Sequence, residues 1–397
     1  MNRRIITGNK LKCSGCGVCA AVCPKQCIQM GKDELGFSIP IVNESSCISC
    51  GCCQKVCPQQ NKRVFLPTSS SCFYSQSKHQ EELSQSSSGG FFSILARWII
   101  EKGGKVWGVA IDSEGSTEFI CVDCLTELWR LRGSKYIEVK SPLNYTLVKS
   151  QLDNNELVMV SGLPCQILAL HNYLGNYDYP NLLLVDLLCY GIQSPKMWKL
   201  YLNEVNPHKK PIKRIFMREK HYSWYDYSMK IEYQDNSSFL KVRWFDDWLL
   251  SYSRTVFNRE SCTCCESKKF PRVSDFTIGD FWNIDTLERI NVHINKKRGV
   301  SLVYAHSSLA IQIVKDVENE HIFENIDSIL SMQMQKGHSS SIPFNSFRQE
   351  FINTAIDRNF KAARRLYLEG GLLFRLKKRK PIYIYRIKKA LKKLLFI

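Results

Sequence analysis

The sequence predicts a small α+β module at the front and a larger α/β body with a mixed sheet behind it. Three observations carry this. Residues 13–24 and 47–58 repeat one cysteine plan, C-x2-C-x2-C-x3-C-P. From about residue 90, apolar runs of strand length alternate with helical patterns, as in a parallel or mixed sheet covered by helices. From about Lys213 the pattern turns β-rich before α/β alternation returns.

The front module is read first. The chain has 397 residues, of which 44% are hydrophobic and 23% charged, a globular composition with room for a small module and one or two larger domains. "MNRRIITGNKLKC" is basic but lacks the apolar centre of a secretion signal. No run reaches the roughly 18 apolar residues of a membrane span; "NLLLVDLLCYG" is broken by Asp186. The expected location is therefore cytoplasmic, and the 18 cysteines point to metal or redox chemistry rather than disulfides.

Spacing separates the metals. Zinc takes four ligands, usually as two separated pairs. Here each run offers three cysteines at two-residue intervals and a fourth before proline, and in two-cluster ferredoxins that fourth cysteine serves the other cluster. Cys13, Cys16, Cys19 and Cys57 are thus expected to hold one 4Fe-4S cluster, and Cys47, Cys50, Cys53 and Cys23 the second. Gly15 and Gly51 leave the backbone room beside them. Cys27 and Cys52 fall outside the pattern and read as bystanders. The module is expected over residues 1–62, followed by a linker at 63–72, "RVFLPTSSSC".

The body is expected over 73–370. "GGFFSILARWIIEKGG" reads as a helix, "KVWGVAID" and "EFICVDC" as strands, and "TLVKSQLDNN" as a helix. The strand "ELVMVSG", the helix "CQILALHNYL", the strand "NLLLVDLLC" and the helix "PKMWKLYLNEV" follow, and then the β-rich pieces "IKRIFMRE", "YSMKIEYQD" and "FLKVRWF". Three loops carry chemistry. "VSGLPCQ" and "VDLLCYGIQSP" each place a cysteine, Cys165 and Cys189, at a strand's carboxyl end, where ligands of open α/β sheets bind. "SCTCCESKKF" adds Cys262, Cys264 and Cys265. A lone cysteine is more often a small buried apolar residue. Two at equivalent strand ends plus a C-x2-C favour a third cluster on Cys165, Cys189, Cys262 and Cys265, with Cys264 as the substitute in a shifted register.

Residues 371–397 form a basic tail. Arg375 to Ile397 holds ten Lys or Arg and no acid, against a formal net charge of +18 for the whole chain. Ile387, Ala390, Leu391, Leu394 and Leu395 fall on one helical face with lysines opposite, a pattern suited to an anionic membrane surface or to packing on the body. Peripheral attachment at the inner face of the membrane is the corresponding location. Nucleic acid is not the expected partner, because a basic tail alone offers only sequence-independent attraction.

In order along the chain, "SSSGGFFS", "RGSKYIEV", "SGLPCQILAL", "DLLCYGIQSPKMW" and "SDFTIGDFW" resemble the landmarks of the coenzyme F(420) hydrogenase/dehydrogenase beta-subunit family. The resemblance runs from Cys13 to about Phe360. It implies an iron–sulfur flavoprotein with FAD in the body, a redox protein as electron partner, and a small-molecule substrate or deazaflavin-type coenzyme. The family's "CHG" is "CYG" here, with Tyr190 for His, which questions the family's reference substrate. Within this frame Ser88, Gly89 and Gly90 are expected at a flavin pyrophosphate, since they precede a helix N-terminus; alone, the stretch is equally a turn with an N-cap. Gly133, Ser134, Lys135 and Tyr136 are expected beside the flavin, Lys135 neutralising charge and Tyr136 stacking. Asp275 and Asp280 receive no catalytic role. Three classes follow: a flavin-dependent oxidoreductase fed by its own clusters, an electron-transfer subunit with no substrate of its own, and a zinc-stapled binding protein. The first is the reading adopted.

Overall fold

Gly17 and Gly51 hold left-handed φ values of 77° and 75° and open two short helices, α1 (Val18–Ala21) and α2 (Cys52–Val56). A side chain is strained at such angles, so the two cysteine runs turn identically at equivalent glycines. Strands β1 (Ile28–Lys32) and β2 (Ser38–Val42) pair antiparallel between them. These features belong to a computed structural model that describes residues 12–60, 71–175, 179–334 and 340–368.

The body is built on an eight-stranded mixed sheet. Its strands are β3 (Ser71–Ser77), β4 (Lys105–Ile111), β5 (Thr117–Val122), β6 (Val158–Gly162), β7 (Leu182–Leu187), β11 (Phe276–Asp280), β12 (Ser301–Ala305) and β13 (His321–Asn325). They lie in the order β13-β3-β12-β11-β7-β6-β4-β5. β4, β6, β7 and β11 run parallel in the middle, and the outer pairings are antiparallel. Parallel strands are covered on both faces, which is why "VMVSG" is buried throughout. Helix α3 (Phe91–Glu101) seals one face through Ile94, Leu95 and Ile99. The other face packs against α4 (Tyr145–Asp153) and α5 (Pro164–Leu174) through Val148, Ile167 and Leu170. The β-rich stretch forms a separate antiparallel sheet from β8 (Ile212–Glu219), β9 (Ser228–Tyr233) and β10 (Ser238–Val242). It shares a core with α6 (Pro195–Val205) and α7 (Asp247–Ser253).

The expected fold class is the observed one: a small iron–sulfur module in front of a mixed α/β body. Each helix and strand expected between residues 90 and 242 is present. β3 is the exception at the boundary. Ser71 and Cys72, expected as the end of a linker, begin a strand paired on both sides. The basic tail and residues 63–70 lie outside the described residues. Among the described residues, no helix is long and apolar enough to cross a membrane.

The front module is seated on the body. Val18 and Val56 lie in one core with Trp107, Tyr145 and Ile167. The Tyr145 hydroxyl donates to the Cys16 carbonyl at 2.8 Å, and the Asn172 amide to the Val56 carbonyl at 3.2 Å. Arg259 makes the densest tie. Its guanidinium donates to the carbonyls of Cys13 and Ser38, both at 2.7 Å, and to Glu138 at 2.5 Å. Glu138 in turn accepts from the Ser38 amide at 2.5 Å.

Candidate functional site

The carboxyl ends of β6 and β7 are neighbours because the strands pair in parallel register. After β6, Leu163 stands at the N-cap of α5, its amide donating to Gln166 Oε1 at 2.8 Å, and Pro164 supplies the first helical residue, where a missing N–H costs nothing. Cys165 follows at once. After β7 the chain reaches Cys189, whose sulfur accepts from the Gly191 amide at 3.3 Å. A bridge between Gln193 and Asn258, continued by the Arg259 amide donating to the Ile192 carbonyl at 2.9 Å, lays the loop of Cys262 and Cys265 alongside.

Cys165, Cys189, Cys262 and Cys265 thereby line one cavity of about 550 Å³. They stand within electrostatic reach of one another, and burial pushes Cys262 up to about 12 and Cys165 well above its usual value. Cys264 is exposed and does not line the cavity, so the structure gives no support to it as a substitute. Lys268 is buried beside the set. Desolvation lowers its pKa, while the neighbouring sulfurs of Cys189, Cys265 and Cys262 pull the other way.

The module's cysteines also sort into two sets. Cys13, Cys16, Cys19 and Cys57 lie in mutual reach, the fourth crossing over from the second run; burial dominates and pushes Cys16 up to about 12. Cys23, Cys47, Cys50 and Cys53 line a second cavity of about 140 Å³. Cys27 and Cys52 line that cavity too, so they are not bystanders by position. Cys16 and Cys165 feel each other's charge, which puts the first set next to the cysteines of the body. Among the described residues, no three His, Cys, Asp or Glu gather tightly enough for a single metal ion.

The serine–glycine and GSKY loops, far apart in sequence, meet at the other side of the large cavity. The Ser87 hydroxyl accepts from the amide of Ser134 at 2.7 Å and bonds its hydroxyl at 2.9 Å. Ser88, Gly90, Gly133, Ser134, Lys135 and Tyr136 all line the cavity. Gly90, at φ 96°, begins α3 with no side chain capping it, so its first N–H groups are available to an anion. Gly133, at φ 82°, has no atom within 4 Å of where a Cβ would stand.

Three expectations for single residues change. Gly89 does not line the cavity; its amide donates to Ser301 Oγ at 3.0 Å, and a Cβ would meet the Ser75 carbonyl oxygen at 2.2 Å. It is a packing glycine. Lys135 turns its ammonium to the carbonyls of Leu131 and Arg132, both at 2.8 Å, and Arg130 at 3.2 Å. It closes the preceding turn, although burial lowers its pKa to about 7. Tyr136 stacks on Tyr252, with centroids 4.0 Å apart, and its hydroxyl accepts from Arg218 at 3.1 Å.

Arg218 was not singled out in the sequence. It lies on β8, is almost inaccessible, forms a bidentate pair with Asp280 at 2.8 and 3.0 Å, and sits over the rings of Tyr227 and Trp282. Asp280, given no role from sequence, lines the cavity with it, whereas Asp275 ties Leu184 to Ser307 as a loop acid. The Nε atoms of Arg218 and Arg132 are buried without a protein partner, and both residues line the cavity. Two orphaned donors and an uncapped helix start fit an anionic, oxygen-rich group such as a flavin pyrophosphate.

Comparison with known proteins gives two matches by family. Residues 155–328 match the C-terminal part of the beta subunit of coenzyme F420 hydrogenase/dehydrogenase, and residues 12–61 match the 4Fe-4S dicluster domain. No curated protein matches significantly. Among solved structures, a chain of the xenon-derivatised F420-reducing NiFe hydrogenase complex from Methanosarcina barkeri aligns at 13% identity. The alignment covers 74% of this chain and 94% of that one, with a TM-score of 0.47.

Proposed function

Because residues 155–328 match the beta subunit of coenzyme F420 hydrogenase/dehydrogenase and residues 12–61 the 4Fe-4S dicluster domain, we propose that the chain is a member of that beta-subunit family and a flavin-dependent iron–sulfur oxidoreductase with its own organic substrate. Iron–sulfur electron transfer follows from the dicluster domain; flavin, third cluster and substrate are the proposed part. One observation carries the reading. A single cavity of about 550 Å³ is lined both by Cys165, Cys189, Cys262 and Cys265 and by the serine–glycine loops, and its volume is that of a cofactor site.

Cys165, Cys189, Cys262 and Cys265 would supply the ligand set for a third 4Fe-4S cluster. Ser88, Gly90 and the start of α3, with Arg132 and Arg218, would hold the pyrophosphate of FAD. FAD bound there supplies the exchange between single electrons and two-electron chemistry. The chain's own residues do the rest. Lys268 lies buried beside the cysteine set, where its ammonium would favour the more negative, reduced state of a cluster held there. Tyr252 holds Tyr136 in place, and Asp280 does the same for Arg218, so the cavity wall is fixed before a ligand arrives. Burial raises the Tyr190 pKa, so Tyr190 keeps its proton at neutral pH. Cys47 and Cys50 are exposed, which makes the second cluster the docking point for a redox partner protein.

Anaerobic purification of the full chain with iron, sulfide and flavin analysis tests this. The expected content is about twelve irons, four per cluster, and one FAD. About eight irons with FAD would remove the third cluster alone. A flavin-free protein would overturn the proposal and leave an electron-transfer subunit without a substrate of its own.

A further inference from the structure

Cys27 does not belong to either cysteine run, yet the backbone delivers it to the second one. The Gln26 amide donates to the Cys23 carbonyl at 3.0 Å, closing a turn, and Gln26 itself takes a left-handed φ of 48°. Few non-glycine residues accept that angle. Its effect is to fold the chain back after Pro24, so that the sulfur of Cys27 lies 3.4 Å from that of Cys23. Cys27 is buried and anchored from behind, its carbonyl accepting from the Asn43 amide at 2.7 Å. Cys47 is also within hydrogen-bonding reach of Cys27. Cys23 and Cys27 thus stand at the same wall of the 140 Å³ cavity that Cys47, Cys50 and Cys53 line.

We propose that Cys23 and Cys27 are interchangeable fourth ligands of the second cluster, so that this site carries its own spare thiolate. The exchange needs no oxidant or reductant. One iron–thiolate bond breaks as the other forms, and the proton of the incoming thiol passes to the outgoing thiolate along the 3.4 Å sulfur–sulfur contact. The exposed setting of Cys47 and Cys50 makes this the cluster that meets solvent, where a second thiolate guards against loss. The inference rests on the dicluster domain alone and stands whatever the body binds.

The test uses the full chain purified anaerobically, with iron content and the paramagnetic signal of the reduced second cluster as readouts. Cys23→Ser is expected to retain all its iron with an altered signal, whereas Cys23→Ser/Cys27→Ala loses about four irons per chain. Loss of those four irons in Cys23→Ser alone overturns the proposal. Should Cys23→Ser fail to fold, Cys27→Ala decides. Two interchangeable ligands give the wild type a composite signal, which Cys27→Ala collapses to one component. Cys52→Ala, which removes another thiol from the same cavity, is the control. A wild-type signal already of one component, unchanged in Cys27→Ala, overturns the proposal as well. Iron lost from the body's cysteine set instead would bear on the third cluster and not on this one.

Discussion

Thr277 has one hydroxyl proton, with Asp186 Oδ1 at 2.6 Å and His306 Nε2 at 2.9 Å as its near neighbours and Ser274 Oγ farther off at 3.5 Å. Asp186 is already the partner of Arg272 at 3.0 Å, both almost inaccessible. A carboxylate can only accept, so the proton goes to Asp186 and His306 must donate from Nε2 to the hydroxyl oxygen. Burial lowers the His306 pKa to about 4, outweighing the opposite pull of the Asp186 carboxylate and helped in a smaller way by Arg272. The folded state therefore resists a proton that the unfolded chain accepts near pH 6.5. This contribution is fully present above pH 6.5 and is lost as pH falls toward 4, on the order of 3 kcal/mol at most. His306→Gln, which keeps a donor but cannot titrate, is expected to flatten that part of the stability profile. Denaturant unfolding between pH 5 and 7 measures it, and an unchanged slope in the variant would assign the pH dependence elsewhere. In the sequence Asp186 was visible only as a charge interrupting an apolar run. Its partners lie on other strands, and no local pattern announces them.

At the level of elements, two glycines from the expected flavin loops separate packing from ligand space. Gly89→Ala would drive a Cβ into the Ser75 carbonyl oxygen at 2.2 Å and the Ser301 amide at 2.6 Å, both backbone atoms of paired strands. Overpacking against groups that cannot move costs about 1–3 kcal/mol, and here the upper end is expected. Gly133→Ala meets no atom within 4 Å and pays only for its φ of 82°, about 1–2 kcal/mol. Thermal unfolding should rank Gly89→Ala as clearly the worse, while flavin content should fall more in Gly133→Ala. The reverse ranking would mean that Gly89, not Gly133, faces the ligand. The same loops mark how far sequence carries. Strand ends with cysteines were legible because parallel strands and thiols each leave a local signature. That Ser87 reaches Ser134, or that Lys135 turns to its own preceding carbonyls, depends on how loops cross and has no such signature. Arg218 is hidden for another reason: on an alternating strand it reads as one more solvent-facing residue.

For the whole molecule, the front module and the body share a core through Val18 and Val56, so they should unfold together. The sequence suggested a module over residues 1–62 joined to the body by a linker. Cysteine spacing reports local wrapping, but nothing in it reports that Val18 and Val56 are buried against another unit. Loss of helical circular dichroism and bleaching of iron–sulfur absorbance are expected at one midpoint in the wild type. Arg259→Met leaves Glu138 buried without its cation, which costs about 3–5 kcal/mol, and should let bleaching precede the loss of helix. Adding Glu138→Gln removes the stranded charge and should return part of the loss. Bleaching well ahead of helix loss in the wild type would mean that the two units are only loosely joined.

Arg259 also lies against Gly15, where a Cβ would come within 2.7 Å of its guanidinium. Gly15 is thus held by two unrelated demands, its own φ of 69° and the space that a distant arginine needs. The two positions are therefore bound to one another in descent. A side chain at position 15 would have to displace the Arg259 guanidinium from its bonds to the front module, whereas loss of that module would free Arg259 from Cys13 and Ser38 but leave it paired with Glu138.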